Sequence, residues 1–140
     1  HDDGVINVVT RTDRGRLGES WSTDGGATFT NDWARQVDGY YTVYQPRGPA
    51  AIHKLPDGRF ILWTYNTNCP DFNGRNPAWY RTGFRSGDRI RWDGAQALAF
   101  YQAPTTRIGY PTFLAVLDEL LVTASNKASA RLMRFPLNDV

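Results

Sequence analysis

The sequence predicts an all-β fold, and three observations carry that expectation. Short runs rich in branched aliphatic and aromatic residues fill the chain, separated by Gly, Pro, Asn and Asp. No stretch of ten residues repeats its apolar positions at helical spacing. Residues 22–29 read Ser-x-Asp-x-Gly-x-Thr-aromatic, a pattern that suits a tight turn between strands. In such a turn Ser22 and Asp24 bond backbone groups, Gly25 and Gly26 accept positive φ, and Phe29 anchors the turn to a sheet.

In chain order the expected strands cover residues 5–11, 16–22, 50–55, 59–65, 95–101, 112–117, 120–123 and 130–135. Residues 13–15 form a turn signal between the first two, and Asp57 with Gly58 forms a short-hairpin signal between the third and fourth. An internal repeat follows the same logic. Residues 49–66 and 111–126 each run from proline through an apolar strand and an acidic turn to a second apolar strand ending in Asn. Residues 86–92 look like a shortened copy of the 22–29 pattern, one residue short and lacking the second glycine. The prolines and the serines of these pairs recur at nearly the same interval, roughly sixty residues, which fits a large repeating sheet unit with an elaborated connection.

With 140 residues the chain can bury a sizeable core as one domain. Sixteen basic against fourteen acidic residues give a net charge of +2, too small a bias to suggest a nucleic-acid partner. Lys54 and Lys127 are the only lysines, so the basic residues are mostly arginines, whose planar forks suit carboxylate or sulfate. Cys69 is alone, which excludes an intrachain disulfide and gives no indication of compartment. Residues 1–4 carry no signal-peptide pattern, and no apolar run is long enough to span a bilayer. His1, His53 and one cysteine make no zinc pattern, residues 13–18 lack the ligands of a calcium loop, and neither a serine-hydrolase elbow nor a phosphate loop occurs. No metal or cofactor is expected. Three aromatic clusters, Tyr40 with Tyr41 and Tyr44, Trp63 with Tyr65, and Trp79 with Tyr80, suit either sugar stacking or a packed core. Residues 40–47, in a long connection, are the best placed for loop contacts with a ligand.

Several short motifs stand in a specific order. Val8, Val9, Thr10, Arg11 and Thr12 lead through Gly15, Arg16 and Leu17 into the 22–29 turn, which has the form of an Asp-box. Arg75, Asn76, Pro77, Ala78 and Trp79 are similar to an Arg-x-Pro-Leu element, and the box-like stretch 86–92 follows. Gly109, Tyr110, Pro111, Thr112 and Phe113 are similar to a Tyr-Pro or Tyr-Ser motif. From Val5 to about Asn126 this order resembles the BNR-repeat, sialidase-like family.

The resemblance implies a six-bladed β-propeller of which the chain covers about two to three blades, since closing such a ring takes at least four. Residues 1–140 are then expected to be part of a larger domain extending before residue 1, with the remaining blades supplied by the parent chain or another chain. The boxes would be structural, through Ser22, Asp24, Gly26, Thr28 and Phe29. The implied activity is that of an exo-glycosidase acting on a glycan. An arginine cluster grips the sugar carboxylate, and a tyrosine activated by a glutamate attacks the anomeric carbon. A neutral phenol avoids the repulsion that a carboxylate nucleophile would meet there, and sialidases are exceptions to the two-carboxylate rule for this reason. Carried over by motif, Arg11 matches the second arginine of the cluster, Arg75 the third, and Tyr110 the nucleophile. Arg81 competes with Arg75 for its place, Pro77 favouring Arg75. Arg11, Arg75 and Tyr110 should then converge at one end of adjacent strands, with the boxes at the far rim. A secreted or periplasmic setting follows from the resemblance alone.

The chain also departs from the family. The first arginine and the acid/base aspartate belong to blades before the matched region, and where the family has a glutamate before the second arginine only Asp2 and Asp3 stand. Pro111 replaces the commoner serine, and Thr123, Ala124 and Ser125 stand where related chains end a strand in glutamate. A carbohydrate-binding or catalytically degenerate propeller, a purely structural segment of a larger assembly, and a small β-sandwich with a coincidental box are the alternatives.

Overall fold

The computed structural model describes residues 3–12, 15–30, 48–65, 75–93, 95–101, 108–125 and 128–140. The protein is all-β, its described residues forming antiparallel sheets with one short 3-10 turn at Leu137–Asp139 and no α-helix. Strands β1 (Ile6–Arg11) and β2 (Leu17–Ser22) make a two-stranded sheet, Ile6 lying opposite Ser22 and Arg11 opposite Leu17. A larger sheet has the order β3 (Ala51–Lys54), β4 (Phe60–Thr64), β5 (Ala78–Ser86) and β6 (Arg89–Trp92). Strand β7 (Ala97–Phe100) pairs with the first part of β5 where β6 has left it. A third sheet has the order β10 (Ala130–Pro136), β9 (Glu119–Ser125) and β8 (Gly109–Val116).

Strand β4 shows why the sheets stack. All five of its residues are buried, so both of its faces must meet apolar neighbours. Phe60 and Leu62 point to one side, where Leu17, Ile90 and Trp92 join them and Val9 of β1 packs alongside. Ile61, Trp63 and Tyr65 point to the other, against Leu120, Val122 and Ala124 of β9, with Phe113, Met133 and Phe135 packed around them. The middle sheet thus lies between the two others, with an apolar layer on each side. Polar links close the first layer at its rim, where the Arg89 guanidinium lies 3.9 Å from the Trp21 ring centroid and Asn7 donates to the Asp88 carbonyl.

The two repeated stretches become equivalent hairpins, β3–β4 in the middle sheet and β8–β9 in the next. The stretch 86–92 is not a box. It turns β5 into β6 through Gly87 and Asp88, with Gly87 at φ 63°, where a tight hairpin turn takes glycine. Strand β5, the longest described, and its partner β6 are not among the expected strands. Arg81, Thr82, Gly83 and Arg85 break its apolar pattern, and pairing on both sides holds it extended. Residues 13–14, the Tyr40, Tyr41 and Tyr44 cluster, and Cys69 lie outside the described residues.

Candidate functional site: an arginine-lined cavity

The box turn is built by its short polar side chains. Ser22 Oγ accepts from the Gly26 amide at 2.9 Å and donates to Asp24 Oδ1 at 2.6 Å. Asp24 in turn accepts from the Thr28 amide at 2.9 Å and the Thr28 hydroxyl at 2.6 Å. The bonds from Ser22 and Thr28 hold the Asp24 carboxyl well below the ordinary carboxylate range, because they satisfy its charged form. Gly25 and Gly26 are both at positive φ. Phe29, the expected anchor, is 38% exposed, and the turn is also closed by the Thr30 amide bonding the Trp21 carbonyl and by Ser20 bonding the Thr30 carbonyl. The register places this turn at the end of the β1–β2 hairpin opposite Arg11.

At the Arg11 end lies a cavity of about 380 Å³, lined by Val9, Thr10, Arg11, Gly48, Pro49, Ala50, Arg75 and Tyr110. All three sheets contribute. Arg11 ends β1, Pro49 and Ala50 lead into β3, Arg75 lies just before β5, and Tyr110 is the second residue of β8. Between Gly109, opposite Ser125, and Thr112, opposite Thr123, β8 holds one residue more than its partner. That is a β-bulge, a device that re-aims side chains. Pro111, which has no amide proton to donate, is accommodated within it. Tyr110 takes φ 56° and is 63% exposed, so its ring stands out from the strand. The Arg75 guanidinium lies 5.5 Å from the centroid of that ring, within the range of a cation–π contact.

Arg81 is not brought to this cavity. It is 5% exposed in the middle of β5 opposite Leu62, three residues further along than Ala78, where the strand starts. Its guanidinium donates to the Asp93 carbonyl and to the Gln96 side chain, bracing the stretch between β6 and β7. It lines a separate cavity of about 430 Å³ together with Asp93 and Asp139. Strand geometry decides between the two arginines: a residue advances the chain by about 3.3 Å, so Arg75 stays at the cavity end and Arg81 does not.

Two residues near the cavity carried no role in the motifs. Glu19 is 4% exposed and lies opposite Val9, so it shares a face of the first sheet with Arg11, its diagonal neighbour. Tyr65, which with Trp63 suited either sugar stacking or core, is fully buried in the core beneath the cavity. Their alternation within the strands is the signal for their burial; the sequence also offers Glu19, with Asp13, as an ion-pair partner for Arg11, whereas nothing local indicates the neighbours of Tyr65. Tyr80 is buried too, its hydroxyl donating to the Asp139 carbonyl.

Chemically the cavity offers two guanidiniums and a phenol, and no carboxylate occurs among its described lining residues. Guanidinium forks are matched to planar carboxylates. Among the described residues no cluster of His, Cys, Asp or Glu is arranged to hold a metal ion, and no helix is long and apolar enough to cross a membrane. Comparison with protein-family models, with curated proteins and with solved structures yielded no match to this chain.

Proposed function

We propose that this chain is part of a sialidase-like β-propeller glycosidase that acts on a terminal, anionic sugar of a glycan. The observation that carries the reading is the shared cavity of Arg11, Arg75 and Tyr110, three residues that lie in distant stretches of sequence and in three separate motifs. The stacking of three antiparallel sheets supports the architecture. The outward face of the β8–β10 sheet supports it too, with Leu114, Val116 and Leu132 exposed where the next blade of a ring would pack.

In this reading the arginine forks hold the sugar carboxylate and set the anomeric carbon against the Tyr110 hydroxyl. The phenol oxygen forms a bond to that carbon as the bond to the leaving oxygen breaks. The phenol proton passes to a base and the leaving oxygen takes a proton from an acid, both supplied from outside the described lining of the cavity. Water then releases the sugar from the tyrosine.

The lack of a carboxylate among the described lining residues favours a second reading, a carbohydrate-binding propeller that keeps the anion grip without hydrolysis. Aryl glycosides of sialic and uronic acids, offered to the full-length protein beside Tyr110→Phe, separate the two. Release that disappears in the variant supports the glycosidase. Retained binding of the free sugar acids with no release supports the binding module, and neither release nor binding defeats both.

A further inference from the structure

Gly109, the first residue of β8, pairs with Ser125 at the edge of the bulge and does not take positive φ. Its backbone does not demand glycine. The space above its α-carbon is tight: a Cβ there would stand 3.2 Å from Arg75 Nη1, so the guanidinium would have to give way by a few tenths of an ångström, while Arg75 Cδ at 3.8 Å and the Tyr65 hydroxyl at 3.7 Å would be in ordinary contact. The Arg75 side chain therefore runs along the bare backbone of Gly109, from its δ-carbon to its guanidinium, and its Nε is buried.

Tyr65 is fully buried and forms the other wall. Burial pushes its hydroxyl up to about 12, so it stays neutral beside the guanidinium. Its ring has no room to retreat, because Gly48 approaches so closely that a Cβ there would lie 2.1 Å from the ring Cδ2. Arg75 is thus confined by the Gly109 backbone and the Tyr65 hydroxyl, and the Tyr110 ring lies 5.5 Å from its guanidinium carbon.

We infer that Gly109 and Tyr65 form a slot that positions Arg75 against Tyr110 and so sets the reach of this arginine into the cavity. Neither residue touches the ligand; both are positioning residues acting through Arg75. The slot itself stands on the geometry, and only its consequence for ligand binding rests on the anion-binding reading above.

The test begins without ligand. The Nε–Hε resonance of Arg75, assigned by its loss in Arg75→Lys, is recorded in the full chain and in Gly109→Ala, Tyr65→Phe and Tyr110→Leu. Tyr110→Leu removes the ring current and marks the position of an arginine no longer beside an aromatic ring. In Gly109→Ala the resonance is expected to move toward that position while the backbone amide spectrum stays folded. Tyr65→Phe keeps the ring and removes the hydroxyl, so it is expected to give a smaller displacement, and it still tests the slot if the alanine variant fails to fold. An unmoved Arg75 resonance in each folded variant overturns the inference.

N-acetylneuraminic acid is then titrated into the same samples. Binding is expected to weaken about tenfold in Gly109→Ala, the loss of one charge-assisted contact, and to be no weaker in Gly109→Ala/Arg75→Ala than in Arg75→Ala alone. Additive losses overturn the claim that Gly109 acts through Arg75. A wild-type protein that binds neither this acid nor glucuronate defeats the anion-binding reading, and the resonance shifts still decide the slot.

Discussion

Tyr110 and Leu117 are the two described non-glycine residues at positive φ, at 56° and 55°. The left-handed region strains an L side chain by roughly 1–2 kcal/mol, but the two positions differ in consequence. Tyr110 sits in a bulge at the cavity, whereas Leu117 is 93% exposed in the two-residue turn between β8 and β9. Replacing Leu117 by Asn, a residue that tolerates this region, is expected to stabilise the protein by about 1 kcal/mol in urea unfolding. At Tyr110 glycine relieves the strain but adds about 0.5–1 kcal/mol of chain entropy cost, so Tyr110→Gly should be neutral or stabilising by up to about 1 kcal/mol. It should also abolish any ligand response. Destabilisation well beyond 1 kcal/mol would mean that the ring packs for stability, and that its conformation serves the fold. Unchanged or raised stability would show that the strained conformation does not serve the fold.

At the scale of the element, the box hairpin owes its shape to charge as well as to chain reversal. Asp24 accepts bonds in its ionised form, and its folded-state pKa lies below the ordinary value of 3.8. A depressed carboxyl contributes stability that is complete above its unfolded value and is lost as pH falls below it. The stability difference between the wild type and Asp24→Asn should therefore be constant above about pH 5 and shrink as pH falls below about 4. A difference that persists unchanged to pH 2 would show that the carboxylate form contributes nothing. The β5–β6 hairpin is held differently. It is tied to the first sheet by the Arg89 stack on Trp21 and the Asn7 bond to Asp88, and to the segment before that sheet by the 2.5 Å pair of Arg85 with Asp3. The box turn carries its fixings within itself, and the β5–β6 hairpin borrows them from its neighbour.

At the scale of the whole molecule, the two apolar layers meet in β4, which is buried on both faces. Trp63, 1% exposed, packs edge-on to Tyr65 and Phe113 and so joins the middle sheet to the third. Trp63→Ala is expected to cost about 3–5 kcal/mol, enough to remove most of the stability of a domain this size, measured as a fall in the urea midpoint. The cavity lies where these sheets meet, so its three named residues depend on that layer although none of them belongs to it. Trp63→Phe, which refills much of the space, should restore most of the lost stability.

What the sequence determined by itself is what local chemistry controls. Alternating apolar runs and Gly, Pro, Asn and Asp punctuation specify extended segments and their turns, and the Ser22, Asp24 and Thr28 bonds close within eight residues of chain. The residues worth watching, Arg11, Arg75 and Tyr110, were legible because their motifs are short and contiguous. Pro77 already favoured Arg75 over Arg81, and tertiary structure alone decided that Arg81 is drawn into a separate cavity, that a bulge turns Tyr110 outward, and that the Arg75 guanidinium lies over the bare backbone of Gly109. It also decided that residues 86–92, similar to a box in sequence, form a tight hairpin fixed by the neighbouring sheet. The physical reason is separation along the chain: turn bonds are made by neighbours, whereas register, bulge and burial are set by which strand lies alongside and which sheet lies above.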